Sequence, residues 1–182
     1  MREDLKLAAV LLGYPDADLL RRAGRFLRDE SGPCGRAHLL RFVDEASAVP
    51  PLDLAGHYSA LFDFREDLAL YLTFQEQGDA RERAPALLAL KELLRRDGFS
   101  CPRGELPDYL PLLLEYLAER PQASDDDLPG RIAAVLGPMR ERLPEGDPYA
   151  HLFDGILAAL APPRPSGAAA ARAPQGRGAV TA

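Results

Sequence analysis

The chain has 182 residues and a formal net charge of −6 at pH 7. An acidic chain lacks the clustered cationic face that binds a phosphate backbone, so we exclude a nucleic acid as partner. The length suits one globular domain, and no apolar run approaches the roughly 18 residues of a membrane span, so we expect no direct membrane insertion. Cys34 and Cys101 lie far apart without a CxxC pair, and we expect free thiols in a cytoplasmic protein without a secretory signal.

The first third of the chain carries apolar residues at the spacing of amphipathic helices. This periodicity predicts four helices, at 5–12, 19–27, 37–49 and 52–62. Glycine and proline separate them, as in the SGPCG loop at 31–35 and at the Pro50–Pro51 pair. In the second helix, five side chains are expected to face the core: Leu19, Leu20, Ala23, Phe26 and Leu27.

The middle of the chain contains the compact apolar run LALYLTF at 68–74. Its length alone would suit a buried strand, but the helical context favours a helix that ends near Gly78. Asp79 then begins the next helix, with Glu82 three residues later as a capping box. Pro85 lies beyond the first four amides of that helix, so we expect a kink or a later start there.

The last part of the chain predicts three more helices. The segment ELPDYLPLLLEYLAER at 105–120 forms the first, a cap at 124–127 precedes the second around 132–143, and the third covers 148–160. From residue 162 the composition collapses to Ala, Pro, Gly and Arg, which predicts a disordered tail. We therefore predict an all-α, single-domain bundle of about nine helices at 1–161, followed by a tail at 162–182.

The sequence offers no chemistry that would make an enzyme. It contains no glycine-rich phosphate loop and no set of nucleophile, base and oxyanion donors. His38, His57 and His151 have no paired-ligand spacing, so we expect ordinary surface or core histidines and no metal site. We accordingly predict a protein that is not an enzyme and that holds no cofactor.

The 105–120 helix has a distinctive distribution of charge. With Asp108 as its cap, a spacing of 100° per residue places Asp108, Glu115 and Glu119 on one stripe. The opposite face, expected to be core, carries Leu110, Leu113, Leu114 and Leu117. Tyr109 and Tyr116 stand on the flank between these faces. This pattern on its own favours a solvated acidic face with half-buried tyrosines, and it also fits the wall of a groove for a cationic, partly apolar peptide.

Three blocks of the sequence carry a family resemblance. HYSALFDF at 57–64, LYLTFQEQGDARERAPALLALKELLRRDGF at 70–99 and ELPDYLPLLLEYLAE at 105–119 resemble the nitrate reductase molybdenum-cofactor assembly chaperones. These form the NarJ-type branch of the redox-enzyme maturation chaperones, a TorD/DmsD-like superfamily. The resemblance covers most of 5–160, with departures at 74–77, where the family commonly has an aromatic or histidine, and at Ala84–Pro85, where a glycine is frequent.

The resemblance implies an all-helical, TorD-like chaperone and a specific partner. Such a chaperone binds the N-terminal segment of the apo catalytic subunit of respiratory nitrate reductase in the cytoplasm. It keeps that subunit competent for insertion of the molybdenum cofactor and delays its attachment to the membrane. Two alternatives stay open: a chaperone for another molybdoenzyme, of the dimethyl sulfoxide or trimethylamine oxide reductase type, and a structural helical adaptor without a peptide groove.

We expect the peptide groove between the 68–83 region and the 105–119 helix. Aromatic side chains would supply contact area, while carboxylates would select arginine or lysine of the peptide. The aromatic candidates are Tyr71, Phe74, Tyr109 and Tyr116, and the acidic candidates are Asp79, Asp108, Glu115 and Glu119.

Overall fold

The structure is a computed structural model that describes residues 2–29, 34–78, 80–102, 104–119 and 127–161. Within these residues it contains nine α-helices and one 3-10 turn, Glu66–Leu68. The helices are α1 Arg2–Leu11, α2 Ala17–Asp29, α3 Cys34–Ser47, α4 Pro51–Phe62, α5 Leu72–Gln77, α6 Ala80–Arg96, α7 Leu110–Glu119, α8 Leu128–Glu141 and α9 Pro148–Leu160. The all-α bundle predicted from the sequence is confirmed, and the predicted tail at 162–182 lies outside the described residues.

Helices α1 and α9 form the centre of the bundle. The most extensive contacts join α3 to α9 and α1 to α7, and α1 also packs against α9. Because α1 packs against both α7 and α9, its apolar face is buried along its length, as at Leu5 and Ala8. Leu12, just after the end of α1, is buried as well. None of the described helices has the length and apolar character needed to cross a membrane.

Small residues bring α3 and α9 close together. A Cβ added to Gly155 would lie 2.6 Å from the Leu39 Cδ2 atom, and one added to Gly35 would lie 3.2 Å from the Gly155 carbonyl oxygen. Any larger side chain at Gly155 would therefore displace the buried Leu39 side chain in a closely packed interface. Glycine at this crossing explains why the two helices share such an extensive interface.

Aromatic rings fill the space between α3, α4 and α9. The ring centroids of Tyr58 and Phe62 lie 5.0 Å apart, and those of Phe42 and Tyr149 lie 5.1 Å apart. Phe62 also meets Tyr149 edge to face at 5.1 Å. Edge-to-face and tilted contacts at this distance add to the area that each ring buries, so this cluster anchors α4 to the core.

The segment 68–74 departs from its predicted helix. Leu68 ends the 3-10 turn, and Tyr71 has extended dihedral angles, φ −123° and ψ 113°. Only from Leu72 is the chain helical, and this short α5 ends at Gly78, whose φ of 68° favours glycine, as predicted. The helix prediction fails before Leu72 because Tyr71 forms an isolated antiparallel bridge with Tyr109, a partner far along the chain.

Two further expectations need correction. Helix α6 begins at Ala80 and runs through Pro85, so a later start at that proline is wrong; Asp79, the expected cap, lies outside the described residues. Phe26 was expected to face the core but is 36% exposed. The Arg36 guanidinium lies 4.5 Å from the centre of its ring, and this cation–π contact covers the ring at the surface.

Helix α7 is buried on most of its circumference. Leu110, Leu113 and Leu114 are fully buried, as the sequence predicts. Leu112 and Tyr116 are buried as well, because other helices cover the sides of α7 that the sequence pattern left open. Helix α7 is therefore an internal element of the bundle and not a surface helix with one apolar face.

Replacement of Leu113 by alanine should lower the free energy of unfolding by about 2–5 kcal/mol, because it leaves a cavity in a packed core. Denaturant titration measures this change. Leu52→Ala is the matched control, since Leu52 is 83% exposed, and it should change stability by at most about 0.5 kcal/mol. Equal effects of the two substitutions would contradict the placement of α7 in the core.

Candidate functional site

A buried carboxylate holds the loop that leads into α7. Asp108 has no exposed surface, and its Oδ2 atom accepts hydrogen bonds from the Thr73 backbone N at 3.2 Å and from the Thr73 Oγ1 at 2.5 Å. The Arg83 Nη2 atom donates to the same oxygen at 3.2 Å. Asp108 thus caps the start of α5 and pairs with α6, joining three segments that are separate in the sequence.

Backbone hydrogen bonds reinforce this junction. The Leu72 N–H donates to the Asp108 carbonyl and the Leu110 N–H to the Leu70 carbonyl, both at 2.9 Å. Between them the rings of Tyr71 and Tyr109 lie 5.5 Å apart. The segments that were expected to enclose a groove are therefore joined edge to edge at this junction.

Two candidate residues differ from the exposed acidic front that the sequence predicts. Asp108 was expected to cap α7 on the solvent side, but its carboxylate is buried and engaged with α5 and α6. Tyr116 is 1% exposed; its hydroxyl donates to the Asp97 Oδ2 atom at 2.6 Å and its ring meets Phe99 edge to face. Both side chains are held inside the fold, because their partners come from α5, α6 and the segment that follows α6.

An open cleft of about 390 Å³ lies on another side of α7, against α1. Helix α1 contributes one wall, the loop that follows α6 contributes a second, and the start of α7 forms the floor. We call it the α1–α7 cleft. The described residues that line it are Ala9, Val10, Pro102, Gly104, Glu105, Tyr109, Pro111, Leu112 and Glu115.

The charge of the α1–α7 cleft is negative where the structure describes it. Among the described lining residues, both charged side chains are carboxylates, Glu105 and Glu115. Lys6, on α1, pairs with Glu119 at 2.6 Å. The hydrogen bond to Glu119 raises the pKa of Lys6, and the charges of Glu119 and Glu115 add to that effect. Apolar walls with carboxylates among them suit a ligand that is both apolar and cationic.

Two tyrosines border Glu105. Burial raises the pKa of Tyr71, with the Glu105 carboxylate adding to it, and burial also raises the pKa of Tyr109. Both phenols are therefore neutral at pH 7. The Tyr71 hydroxyl lies 3.5 Å from the Glu105 Oε1 atom, so Tyr71 contacts a carboxylate that lines the cleft together with Tyr109.

The remaining candidates are distributed around this region. Tyr109 and Glu115 line the cleft, and Glu119 lies one helical turn further along α7. Phe74 is half-buried beneath the Arg83 guanidinium, 5.2 Å from its ring centre, while Asp79 lies outside the described residues. The candidate set predicted from the sequence includes neither Glu105 nor any residue of the α1 wall. Glu105 opens the ELPDYLP block, whereas no local pattern could indicate that α1 packs beside α7.

Comparison with known proteins identifies the family. The family model described as nitrate reductase delta subunit matches residues 29–145. The chain belongs to the nitrate reductase delta subunit family. It is 34% identical over 160 residues to the nitrate reductase molybdenum cofactor assembly chaperone NarJ of Escherichia coli strain K12, an alignment that covers 85% of this chain and 68% of that protein.

Two further comparisons, one with a sequence relative and one with a solved structure, extend this result. The chain is 39% identical over 154 residues to the nitrate reductase-like protein NarX of Mycobacterium tuberculosis strain H37Rv; this covers 82% of the chain but 23% of NarX. The chain also shares its fold with the crystal structure of a putative redox enzyme maturation protein from Archaeoglobus fulgidus. The TM-score is 0.65 at 24% identity, over 88% of this chain and 93% of that one.

Replacement of Asp108 by alanine should cost about 3–5 kcal/mol in unfolding free energy, because it leaves the Arg83 guanidinium without its buried partner. Chemical denaturation followed by circular dichroism measures the loss. The matched control is Asp67→Ala, since Asp67 pairs with Arg65 at the surface, and such pairs contribute about 0–1 kcal/mol. If Asp108→Ala cost no more than Asp67→Ala, the junction would not depend on this carboxylate.

Proposed function

We propose that this chain is an assembly chaperone for a respiratory nitrate reductase, and that it binds the N-terminal segment of the apo catalytic subunit in the α1–α7 cleft. The role is that of a chaperone and not of a catalyst. The naming of the Escherichia coli relative as a molybdenum cofactor assembly chaperone supports the role, and membership of the delta subunit family supports a nitrate reductase as the partner.

The composition of the cleft is the observation that carries the binding site. Val10 on the α1 wall and Leu112 on the floor supply apolar surface, and Glu105 and Glu115 stand among them. The sequence resemblance implies a peptide partner that is basic and apolar. Apolar side chains of such a peptide would fill the cleft, while its arginine or lysine residues would meet the two carboxylates.

This proposal revises the set of residues that contact the peptide. Tyr109 and Glu115 remain direct contacts, Glu105 and Val10 join them, and Glu119 contributes through its charge. Tyr71 supports Tyr109 from behind. Asp108 and Tyr116 instead position the cleft, since both are buried. Phe74 and Asp79 keep the roles proposed from the sequence, Phe74 as an apolar contact and Asp79 as a partner for arginine or lysine of the peptide.

Binding in this manner would serve assembly of the partner enzyme. A chaperone that occupies the N-terminal segment leaves the rest of the apo subunit free for insertion of the molybdenum cofactor. The same occupancy delays attachment to the membrane, because the segment is held by the chaperone. The chain itself holds no cofactor in this proposal, and the encounter takes place in the cytoplasm, as the sequence resemblance implies.

A charge placed in the cleft tests this site. We expect Val10→Arg to weaken binding of a synthetic peptide with the N-terminal sequence of the source organism's nitrate reductase catalytic subunit by about tenfold or more. The new arginine would pair with the cleft carboxylates and repel the basic peptide, and like charges brought together at an interface cost several kcal/mol. Isothermal titration calorimetry measures the affinity. Val10 is 44% exposed, so the substitution should leave the fold intact.

The control for charge alone is Leu52→Arg, which adds the same charge at a residue that is 83% exposed on α4. It should bind the peptide as the parent protein does. Equal affinities of Val10→Arg and the parent would place the site elsewhere. If the N-terminal peptide of a dimethyl sulfoxide or trimethylamine oxide reductase bound more tightly than the nitrate reductase peptide, the partner would be reassigned. If none of these peptides bound, the structural adaptor would be favoured.

The carboxylates should act mainly through the salt dependence of binding. The double variant Glu105→Gln/Glu115→Gln should lower affinity at low salt and flatten its decline as salt rises, since exposed charge pairs contribute about 0.2–1 kcal/mol each. Glu141→Gln/Glu145→Gln removes the same charge from exposed residues at and beyond the end of α8. If both double variants change the salt dependence equally, the effect belongs to net charge and not to the cleft.

A further inference from the structure

A cluster of metal-binding side chains lies at the interface of α3 and α9, apart from the α1–α7 cleft. His38 on α3 and His151 and Asp154 on α9 each offer one ligand atom, and these atoms all lie within 4.8 Å of one another. His151 and Asp154 stand three residues apart on one face of α9. The sequence predicts ordinary surface or core histidines and no metal site. His38 and His151 are far apart in the chain and become neighbours only through helix packing.

We propose that His38, His151 and Asp154 bind one divalent transition-metal ion, of which Zn²⁺ is the best match. Two imidazoles and one carboxylate form a donor set that suits Zn²⁺ and leaves a coordination position for water. Calcium and magnesium prefer sites built from oxygen ligands. The bound ion would join two helices of the core, since its ligands come from both α3 and α9.

Each histidine has a buried nitrogen atom to which a metal ion could bind. The Nδ1 atoms of His38 and of His151 are buried and have no hydrogen-bond partner among the described residues. Buried polar atoms in folded proteins nearly always have a partner. The two imidazoles, one from each helix, stack with their ring centres 6.4 Å apart.

Neighbouring side chains would orient the ligands. The Arg140 Nε and Nη2 atoms donate to the two carboxylate oxygens of Asp154 at 3.0 and 3.1 Å. The His151 Nε2 atom lies 3.4 Å from the Glu45 Oε1 atom. Such partners of metal ligands fix their direction and tune affinity. If Asp154 binds the ion through one oxygen, the other oxygen keeps its hydrogen bond to Arg140.

The distances require side-chain rotation but no movement of the helices. Bonds of about 2.0–2.2 Å in a tetrahedral zinc site place ligand atoms roughly 3.3 Å apart. The present separations of up to 4.8 Å are within reach of χ rotations of the three side chains. Gly35 and Gly155 already hold α3 and α9 at close approach, so binding would clamp an interface that is formed in advance.

Calorimetric titration of the untagged, chelator-treated full chain with ZnCl₂ tests the site. We expect one equivalent to bind and to raise the melting temperature, because an ion that binds only the folded state stabilises it. Asp154→Asn, His38→Gln and His151→Gln should each weaken binding by about tenfold or more. Circular dichroism checks that each variant is folded, and Asp154→Asn keeps the test decisive if a histidine variant fails to fold.

Two controls distinguish this site from incidental binding. His57→Gln removes the chain's third histidine, whose Nε2 atom is 2.8 Å from the Asp147 Oδ2 atom, and should leave the affinity unchanged. Cys34→Ser/Cys101→Ser should also bind normally, and the absorption spectrum of the Co²⁺ form should lack the near-ultraviolet charge-transfer bands of a thiolate ligand. The proposal is overturned if ZnCl₂ fails to bind, if the cluster variants bind as the parent does, or if either control loses as much affinity as they do.

Discussion

The ion pair of Asp108 with Arg83 is the interaction on which the functional region depends. It places a carboxylate with no exposed surface at the point where α5, α6 and the loop before α7 meet. Taking that charge out of water is costly unless its partners are in place, and Thr73 and Arg83 supply them. Tyr109, the next residue, is thereby fixed at the edge of the α1–α7 cleft.

The cleft follows from this anchored start and from the packing of α7. One side of α7 is joined to α5 and α6, other sides are buried in the core, and the side toward α1 stays open near Val10 and Leu112. A surface assembled from a helix, a loop and a second helix combines apolar contact with carboxylates. This combination is what a basic and apolar peptide requires, so the demands of folding and of the proposed binding meet in the same few residues.

Helix periodicity predicted most of the bundle because burial there follows local amphipathic patterns. Leu136 and Met139 on α8 and Ile156 on α9 lie in the core as expected. The sequence could not show which carboxylates are buried, since Asp108 and Glu115 share a stripe and differ only in their distant partners. Tyr71 is extended and not helical for a similar reason. Its bridge to Tyr109 is a tertiary contact that the local sequence does not indicate. No local pattern indicates the cluster at the α3–α9 interface either, because His38 and His151 meet only through helix packing.

Chemical-shift mapping of the methyl groups of alanine, valine and leucine, with and without the N-terminal peptide of the catalytic subunit, tests the proposed location of binding most directly. The α1–α7 cleft predicts the largest shifts at Ala9, Val10 and Leu112, which line it. Leu52 and Leu88 are exposed elsewhere on the chain and should keep their shifts. Shifts centred on Leu52 or Leu88, with the three cleft residues unchanged, would contradict it.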